Sequence, residues 1–373
     1  MKQVNCPICG LKCIKYGKTR AGSQRWFCNK CRIAYSPQID NETKSLDCFL
    51  KWLFGKQTQQ EMPGGGRSFR RKTARFWNIW PLPPKIEESR DIVYADGIYL
   101  SRKVCVLICC DEKHVLGWYL CRSEHAGAWT ALMRRIAEPR VVVSDGGTGF
   151  YKALRTVWPH ARLQRCLFHV FCQVRRYITA HPATMAGIEL YSISKDLLDV
   201  KTMKESMMWT DRFIRWHRKY QSFLSEMTVD ERGQKRPTHE RLLKAEHSIA
   251  KLLRQNTLFT YLDQELYKDF NVSSMNNRIE GGVNAQLRAM LYNHRGMSVE
   301  RRIKAVFWWC YQHSPKPLSS SEILKVMPTD QSIAAIYHRI NQRYRVDNSI
   351  PDWGDAIVWS DLHTVDRTFS SWD

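Results

Sequence analysis

Four apolar stretches decide the fold of this chain: DIVYADGIYL (residues 91–100), KVCVLICCD (103–111), HVLGWYLCR (114–122) and RVVVSDGG (140–147). Each is rich in β-branched and other apolar residues and is bounded by a short polar turn, the pattern of a β-strand. The first three are close enough to form a meander, and the fourth reads as a short buried strand. Residues 129–137 predict a helix before that fourth strand. We therefore expect an α/β fold.

Two carboxylates stand in this apolar sheet. Asp96 lies inside the first strand and is followed by Gly97, and Asp145 follows the fourth strand. Burying a carboxylate is costly unless a cation meets it, and two neighbouring acids raise each other's pKa until a divalent ion favours the charged form. Hard oxygen ligands favour Mg²⁺ or Mn²⁺. For either acid taken alone, a capping or turn role is the ordinary alternative.

Length and charge indicate how the rest of the chain is organised and what it binds. A chain of 373 residues exceeds the usual size of one hydrophobic core, so several folded units are expected. No stretch approaches the roughly 18 apolar residues that a membrane span needs, and the N-terminus does not resemble a secretory signal, which predicts a cytoplasmic protein with reduced cysteines.

Residues 1–90 hold 18 Lys and Arg against 6 Asp and Glu, so this part should bind an anionic partner. Residues 346–373, with six Asp and one Arg, should instead dock on a basic surface.

Residues 1–36 predict a zinc ribbon. Cys6 and Cys9 form one knuckle and Cys28 and Cys31 the other, at the spacing of a structural Zn²⁺ site with four thiolates. Cys13 is left as an alternative ligand. Basic residues of this segment predicted to contact a DNA backbone are Lys15, Arg20 and Arg25.

Residues 43–80 predict a helix-turn-helix. Apolar residues at helical spacing end at Gly55, and Ser68 is a candidate N-cap for a basic helix that runs to Trp80. The alternative is an ordinary basic amphipathic helix that packs on the core. The predicted DNA contacts of this segment are Arg70, Arg71, Lys72 and Arg75.

Four segments, in order, carry a resemblance: YADGIYL, VVVSDGGTGFYKAL, RCLFHVFCQV and NNRIEGGVNAQLR. Together they resemble the Mutator-like DDE transposases of bacterial insertion sequences, over about residues 91–313. The resemblance implies a ribonuclease H-like core interrupted by a helical insertion. The implied parts are the first core segment 91–172, the insertion 173–270, the second core segment 271–313 and a helical and acidic tail 314–373.

The resemblance also implies the site. Asp96, Asp145 and Glu280 match the three catalytic acids, which hold Mg²⁺ or Mn²⁺ in that family. Glu280 lies beside an apolar helical face, although without the family it would read as an exposed helix acid. Cys166 and His169 match the CxxH element, for which a structural or active-site-bracing role is favoured over metal binding.

A further basic helix follows Glu280. Ser298 is its candidate N-cap, and Arg301, Arg302 and Lys304 are predicted to be exposed along a phosphate track. A solvated basic face would give the same pattern.

By this resemblance we expect a DNA transposase associated with the bacterial nucleoid. It would bind the terminal inverted repeats of a mobile element as a homo-oligomer on double-stranded DNA. It would then cleave the DNA and join the 3′-OH ends to target DNA by two-metal-ion phosphoryl transfer. Two alternatives remain: a sequence-specific DNA-binding regulator with an inactive core, and a nuclease without strand transfer.

Overall fold

The structure, a computed structural model, describes residues 4–6, 9–20, 22–36, 41–229, 231–263, 270–333 and 335. The acidic segment 346–373, predicted to dock on a basic surface, lies outside these residues. Within them, no helix has both the length and the apolar character needed to cross a membrane.

The N-terminal segment forms a small antiparallel sheet. Its strands are β1 (Ile14–Lys18), β2 (Gln24–Cys28) and β3 (Ile33–Tyr35), in the order β1-β2-β3. The buried interior consists of cysteines, with Trp26, Ile33 and Tyr35 partly buried around them. So small an apolar interior cannot stabilise a fold alone, which favours a cross-link through its cysteines.

Two helices follow, α1 (Asn41–Phe54) and α2 (Gly65–Thr73), and a 3₁₀ turn, Ala74–Asn78, completes the segment. The predicted N-cap at Ser68 is wrong, because α2 already begins at Gly65. Gly64 precedes it with φ 87°, a left-handed conformation that suits glycine. The basic helix is also shorter than predicted, since the chain tightens into the 3₁₀ turn after Thr73.

A mixed five-stranded sheet forms the centre of the chain. Its strands are β4 (Ile92–Ser101), β5 (Val104–Cys110), β6 (Val115–Cys121), β7 (Val141–Ser144) and β8 (Arg162–Arg165), in the order β6-β5-β4-β7-β8. Strands β4, β5 and β6 are the predicted antiparallel meander, while β7 and β8 run parallel to β4. The α/β expectation is confirmed.

Helices α3 (Ala126–Met133) and α4 (Thr148–Val157) connect the last strands. The predicted bounds of α3, residues 129–137, are wrong. The helix begins three residues earlier because the side chain of His125 accepts a hydrogen bond from the backbone N–H of Ala128. The imidazole of His125 thus caps the N-terminus of the helix, a role that Ser, Thr, Asp or Asn usually has.

The next segment is mainly helical and has a hydrophobic core of its own. It contains α5 (Leu167–Ile178), α6 (Met185–Asp196), α7 (Met203–Leu224), the hairpin β9 (Met227–Val229) and β10 (Lys235–Pro237), and α8 (Glu240–Arg254). Trp209 and Trp216 are buried in that core, and their Nε1 atoms donate to the carbonyls of Ile193 and Ala186. They pack in the interior of the segment.

The chain then returns to the sheet. A π-helical turn, Arg278–Asn284, leads into α9 (Ala285–Asn293), followed by α10 (Val299–Gln312) and α11 (Ser320–Val326). Ser298 caps α10 as predicted, because its side chain accepts from the backbone N–H of Arg301. The predicted exposure of Lys304 is wrong: this side chain is fully buried and donates to both carboxylate oxygens of Asp330, at 2.7 and 2.8 Å.

The sheet is covered on both faces. Val93, Ala95 and Val142 pack with α3 and α4 on one face. Tyr94 and Ile98 pack on the other face, in a core that also contains residues of α1, α2, α9 and α10. The segment 43–80 therefore shares the hydrophobic core of the sheet, as expected for a basic helix packed on the core.

Candidate active site

The strand register brings the predicted residues to one edge of the sheet. Ala95, Ser144 and Arg165 form a row of paired residues across β4, β7 and β8. Asp96, Asp145 and Cys166 each come directly after one residue of that row. Since these three strands are parallel, the three residues lie at the same level of the sheet.

Asp96 is held by two hydrogen bonds. The backbone N–H of Gly97 donates to Oδ1 at 2.9 Å, and Nδ2 of Asn284 donates to Oδ2 at 2.7 Å. Burial, together with the charges of Asp145, Glu124 and Glu280, raises the pKa of Asp96 to about 8, although the hydrogen bond from Gly97 opposes the rise. The site therefore collects more negative charge than it neutralises, which is the electrostatic condition for a cation site.

The turn at Asp145 depends on a glycine. Gly146 has φ 65°, and its N–H donates to Oγ of Ser144 at 2.8 Å. The guanidinium of Arg165 lies so close that a Cβ on Gly146 would be 1.7 Å from Nη1. Arg165 is almost fully buried, which lowers its pKa, while the charge of Asp145 opposes that effect. Asp145 is thus presented beside a buried cation.

Backbone contacts fix the segment that carries Glu280. The N–H of Asn276 donates to Sγ of Cys166 at 3.3 Å, and its Nδ2 donates to the carbonyl of Ala95 at 3.2 Å. The N–H of Leu167 donates to the carbonyl of Ser274 at 3.0 Å. Cys166 therefore contacts the segment four residues before Glu280 as well as the end of β8.

Glu280 lies against His169. Its Oε1 is 3.3 Å from Nδ1 of His169. One ligand atom each of Cys166, His169 and Glu280 lie within 4.8 Å of one another. The Glu280 and His169 atoms are at ion-pair distance but do not form a hydrogen bond. Neither has a hydrogen-bond partner in the described part of the chain. Burial raises the pKa of Glu280, and Asp145 adds to this, while His169 and Arg288 lower it.

A fourth acid, Glu124, was missed by the sequence analysis. It follows β6, which runs in the same direction as β4 because two antiparallel pairings separate them. Its carboxylate lies against Gly97: a Cβ there would be 2.7 Å from Oε1 of Glu124. Burial raises the pKa of Glu124 to about 7, and Asp145 contributes to the rise. An acid just after the third strand of a meander was the available signal.

The donor set fits a hard divalent cation. Oε1 of Glu280 and Oδ1 of Asn284 are buried oxygens without a hydrogen-bond donor among the described residues. The carboxylates of Asp96 and Asp145 lie at the same edge and interact electrostatically with Glu280. Oxygen ligands of this kind suit Mg²⁺ or Mn²⁺. The three acids do not form a group in which every ligand atom lies within 4.8 Å of the others.

The four predicted zinc ligands do form such a group. The sulfur atoms of Cys6, Cys9, Cys28 and Cys31 all lie within 4.8 Å of one another, which is compatible with a tetrahedral Zn²⁺ site. Cys13 is buried beside them but lies outside the group, and its thiol points to the carbonyl of Leu11 at 3.8 Å.

The predicted DNA-contacting residues lie on three surfaces. Those with exposed side chains are Lys15, Arg20, Arg25, Arg70, Arg71, Lys72, Arg75 and Arg301, while Arg302 is partly exposed. Arg75 forms an ion pair with Glu42. The guanidinium of Arg301 lies 5.6 Å from the ring centroid of Trp77, so this arginine of α10 lies against the 3₁₀ turn that follows α2.

Comparison with known proteins relates part of the chain to transposases. Residues 93–232 match the model of the transposase family described as Mutator. The chain is 31% identical, over 139 residues, to the transposase for insertion sequence element IS6120 of Mycolicibacterium smegmatis, covering 31% of this chain and 43% of that protein. It is 28% identical, over 101 residues, to the transposase for insertion sequence element IS905 of Lactococcus lactis subsp. lactis (strain IL1403), covering 23% and 26%.

The resemblance to the Mutator-like transposases of insertion sequences is confirmed. The matched part of this chain covers less than half the length of either curated relative. The Mutator match includes Asp96, Asp145, Cys166 and His169 and ends at residue 232, before Glu280. The assignments of Asp96, Asp145 and Glu280 as catalytic acids all stay predictions, and that of Glu280 lies outside the matched residues.

Proposed function

We propose that the chain is a DDE transposase that binds the terminal inverted repeats of its element, cleaves DNA there and joins the freed 3′-OH ends to target DNA. The observation that carries this proposal is the hydrogen bond from Asn284 to Asp96. It ties the helix that bears Glu280 to the strand that bears the first acid. Three acids far apart in sequence thereby surround one edge of the sheet.

A ribonuclease H-like fold for the core is part of the proposal. Its support is the sheet itself, in which three antiparallel strands are followed by two parallel strands on the far side of β4. Helices α6, α7 and α8 come between β8 and the return to the sheet, as a helical insertion would. The segments 91–172 and 271–313 would form the two parts of the core.

In this proposal Asp96, Asp145 and Glu280 hold the Mg²⁺ or Mn²⁺ ions. When bound, such a pair of ions activates the attacking oxygen and stabilises the leaving oxygen at the scissile phosphate. The acids need not all contact one ion, which suits their spacing. Asn284 keeps the Asp96 carboxylate oriented, and His169 offsets part of the charge of Glu280.

No protein side chain needs to act as the nucleophile. Water attacks the phosphodiester at the element's end, so that one P–O bond forms, one breaks, and a 3′-OH is released. That hydroxyl then attacks a phosphodiester of the target, which joins the strands and releases a target 3′-OH. The protein's part is to place each attacking oxygen in line with its leaving group.

DNA recognition is proposed for the basic surfaces. The zinc ribbon presents Lys15, Arg20 and Arg25, and α2 presents Arg70, Arg71 and Lys72, so both match the charge of the phosphate backbone. We assign recognition of the terminal repeats to these two segments. Joining two element ends to one target requires paired ends, hence a homo-oligomer on the DNA.

Cleavage and joining of a labelled duplex that carries the terminal repeat, with Mg²⁺, tests the proposal. The intact chain should nick and join, whereas Asp145→Ala and Glu280→Gln should bind the duplex but do neither. Glu240→Gln, which removes an exposed acid of α8 paired with Lys244, is the matched control and should stay active.

Other outcomes would redirect the assignment. Binding without cleavage by the intact chain, with Mg²⁺ or Mn²⁺, would favour a DNA-binding regulator with an inactive core. Cleavage without joining would favour a nuclease. Equal cleavage by the two variants would show that the acids are structural.

A further inference from the structure

A basic cavity opens beside the acids. It has a volume of about 520 Å³, and its lining includes Gly97 and Tyr99 of β4 together with Arg288, Tyr292, Arg295 and Arg302. None of the residues that line it is acidic. The zinc ribbon and α2, to which we assign recognition of the repeats, contribute no residue to it.

The end of strand β7 exposes this part of β4. The last residue pair between these strands is Ala95 with Ser144, whereas β4 continues to Ser101. From Gly97 onward, β7 therefore leaves one side of β4 uncovered. Gly97 also follows Asp96 directly, so the lining of the cavity begins one residue after the first acid of the proposed site.

Helix α9 supplies the opposite wall. Arg288, Leu291, Tyr292 and Arg295 recur at the spacing of one helical face, although Arg295 lies just beyond the helix end. Asn284, which contacts Asp96, is one turn before Arg288. The eight helical steps from Asn284 to Tyr292 span about 12 Å, or three to four nucleotide steps of about 3.4 Å.

Tyr292 has the features of a stacking surface. Its side chain is 63% exposed, and the guanidinium of Arg295 lies 4.2 Å from its ring centroid. An exposed ring with an arginine on one face leaves the remaining ring surface available to a second planar group. Exposed aromatic rings combined with arginines are the usual means of binding unpaired bases and their phosphates.

We propose that this cavity binds an unpaired nucleotide of the DNA strand next to the scissile phosphate. The base stacks on Tyr292, and the phosphates contact Arg288 and Arg302. This inference rests on the proposed function, because it places a DNA strand at Asp96. It goes further by assigning to the core a single-stranded DNA site distinct from the two repeat-binding segments.

The probe is a 12-nucleotide single strand with 2-aminopurine at its centre, titrated with the full chain without added Mg²⁺ so that no cleavage occurs. Stacking should quench the fluorescence of this base. Tyr292→Phe should keep the quenching, whereas Tyr292→Leu should lose it and raise the Kd by about 5- to 100-fold. Because Tyr292 is exposed, neither change disturbs the core.

Charge is tested separately. Arg288→Gln should weaken binding and reduce its salt dependence, whereas Arg218→Gln, the same change on an exposed arginine of α7, should not. Unchanged quenching with Tyr292→Leu, or loss with both Tyr292 variants, would overturn the stacking site. So would the absence of single-strand binding by the intact chain.

Failure of this inference and failure of the proposed function are distinguishable. If Asp145→Ala abolishes cleavage while Tyr292→Leu quenches like the intact chain, the transposase proposal stands and the cavity is not a base site. If the intact chain never cleaves but Tyr292→Leu alone loses quenching, the single-strand site stands and the enzyme assignment fails.

Discussion

Asn284 donates a 2.7 Å hydrogen bond to Oδ2 of Asp96, which lies 188 residues earlier in the chain. Asn284 is fully buried, and its own Oδ1 has no donor among the described residues. The Nδ2 atom of Asn284 thus orients the carboxylate of Asp96, while its Oδ1 atom is left as an acceptor. Its amide group is the direct link between the Glu280 helix and the Asp96 carboxylate.

Removing this amide should impair catalysis more than DNA binding. We expect Asn284→Ala to lower the rate of strand cleavage by about 100-fold, since a displacement of about 1 Å at a catalytic group has an effect of that size. Cleavage rates and DNA binding should be measured together. Asn277→Ala, at an exposed asparagine seven residues earlier, is the control and should cleave normally. A normal rate for Asn284→Ala would show that the hydrogen bond has no catalytic role.

The raised pKa of Asp96 predicts a pH-dependent metal affinity. Asp96 titrates at about 8 in the folded, metal-free protein, against an ordinary value of 3.8. Its protonated form therefore adds stability that is complete below pH 3.8 and is lost as the pH rises through about 8. A divalent cation must displace this proton, so its affinity should rise by about tenfold per pH unit between pH 6 and 8.

Titration calorimetry with Mg²⁺ at pH 6, 7, 8 and 9 measures this dependence. The affinity should level off above pH 8, where Asp96 is already ionised. Asp96→Asn should bind Mg²⁺ weakly at every pH, without this slope. An affinity for the intact chain that does not change across the range would contradict the link between Asp96 and the metal.

Two adjacent glycines offer a matched test of the Asp145 turn. Gly146 has a positive φ, and a Cβ there would collide with the buried guanidinium of Arg165. Gly147 has φ −79°, and a Cβ there would meet nothing within 4 Å. Gly146→Ala should therefore lower the free energy of unfolding by about 1 to 3 kcal/mol or more and suppress cleavage, whereas Gly147→Ala should do neither. Equal melting temperatures for the two variants would contradict this account.

The sequence predicted the meander, β7 and the positions of both aspartates, because uninterrupted apolar residues distinguish buried strands from the polar turns between them. It did not predict β8, whose sequence is RLQR. Gln164 looks polar, yet it is fully buried because its amide donates to the carbonyls of Leu258 and Arg165. Leu258 lies 94 residues later in the chain, so nothing in the sequence around Gln164 indicates this acceptor.

The same limit applies to the candidate site. Glu280 could be placed only through the resemblance, because the contacts that hold its segment run through Asn276 to Ala95 and Cys166. Glu124 was missed because its neighbour, Gly97, belongs to another strand. Side chains whose partners lie far along the chain are visible only once the strand register is known.

Lys304 and Asp330 should be important for stability. Lys304 is fully buried, and Asp330 accepts hydrogen bonds from both Lys304 and Nε1 of Trp80. Asp330→Ala would leave the buried ammonium group with Glu300, at 3.1 Å, in place of two carboxylate partners, so we expect a loss of about 3 kcal/mol in the free energy of unfolding. Chemical denaturation measures it. Glu300→Gln, which removes the more exposed partner of Lys304, should cost much less; equal losses would show that Asp330 is not the main partner.

The cysteine group predicts which thiols bind zinc. Cys28→Ser should release one Zn²⁺ per chain and unfold the N-terminal sheet, because four sulfur atoms close together form a complete tetrahedral set and this sheet has almost no apolar core. Cys13→Ser should retain the metal, since Cys13 lies outside that set although it is equally buried.

Metal content by mass spectrometry, with binding to the terminal repeat measured in parallel, tests both. Loss of zinc from Cys13→Ser but not from Cys28→Ser would identify Cys13 as the ligand. If Cys28→Ser loses the metal but binds the repeat normally, end recognition must lie with α2 and the core.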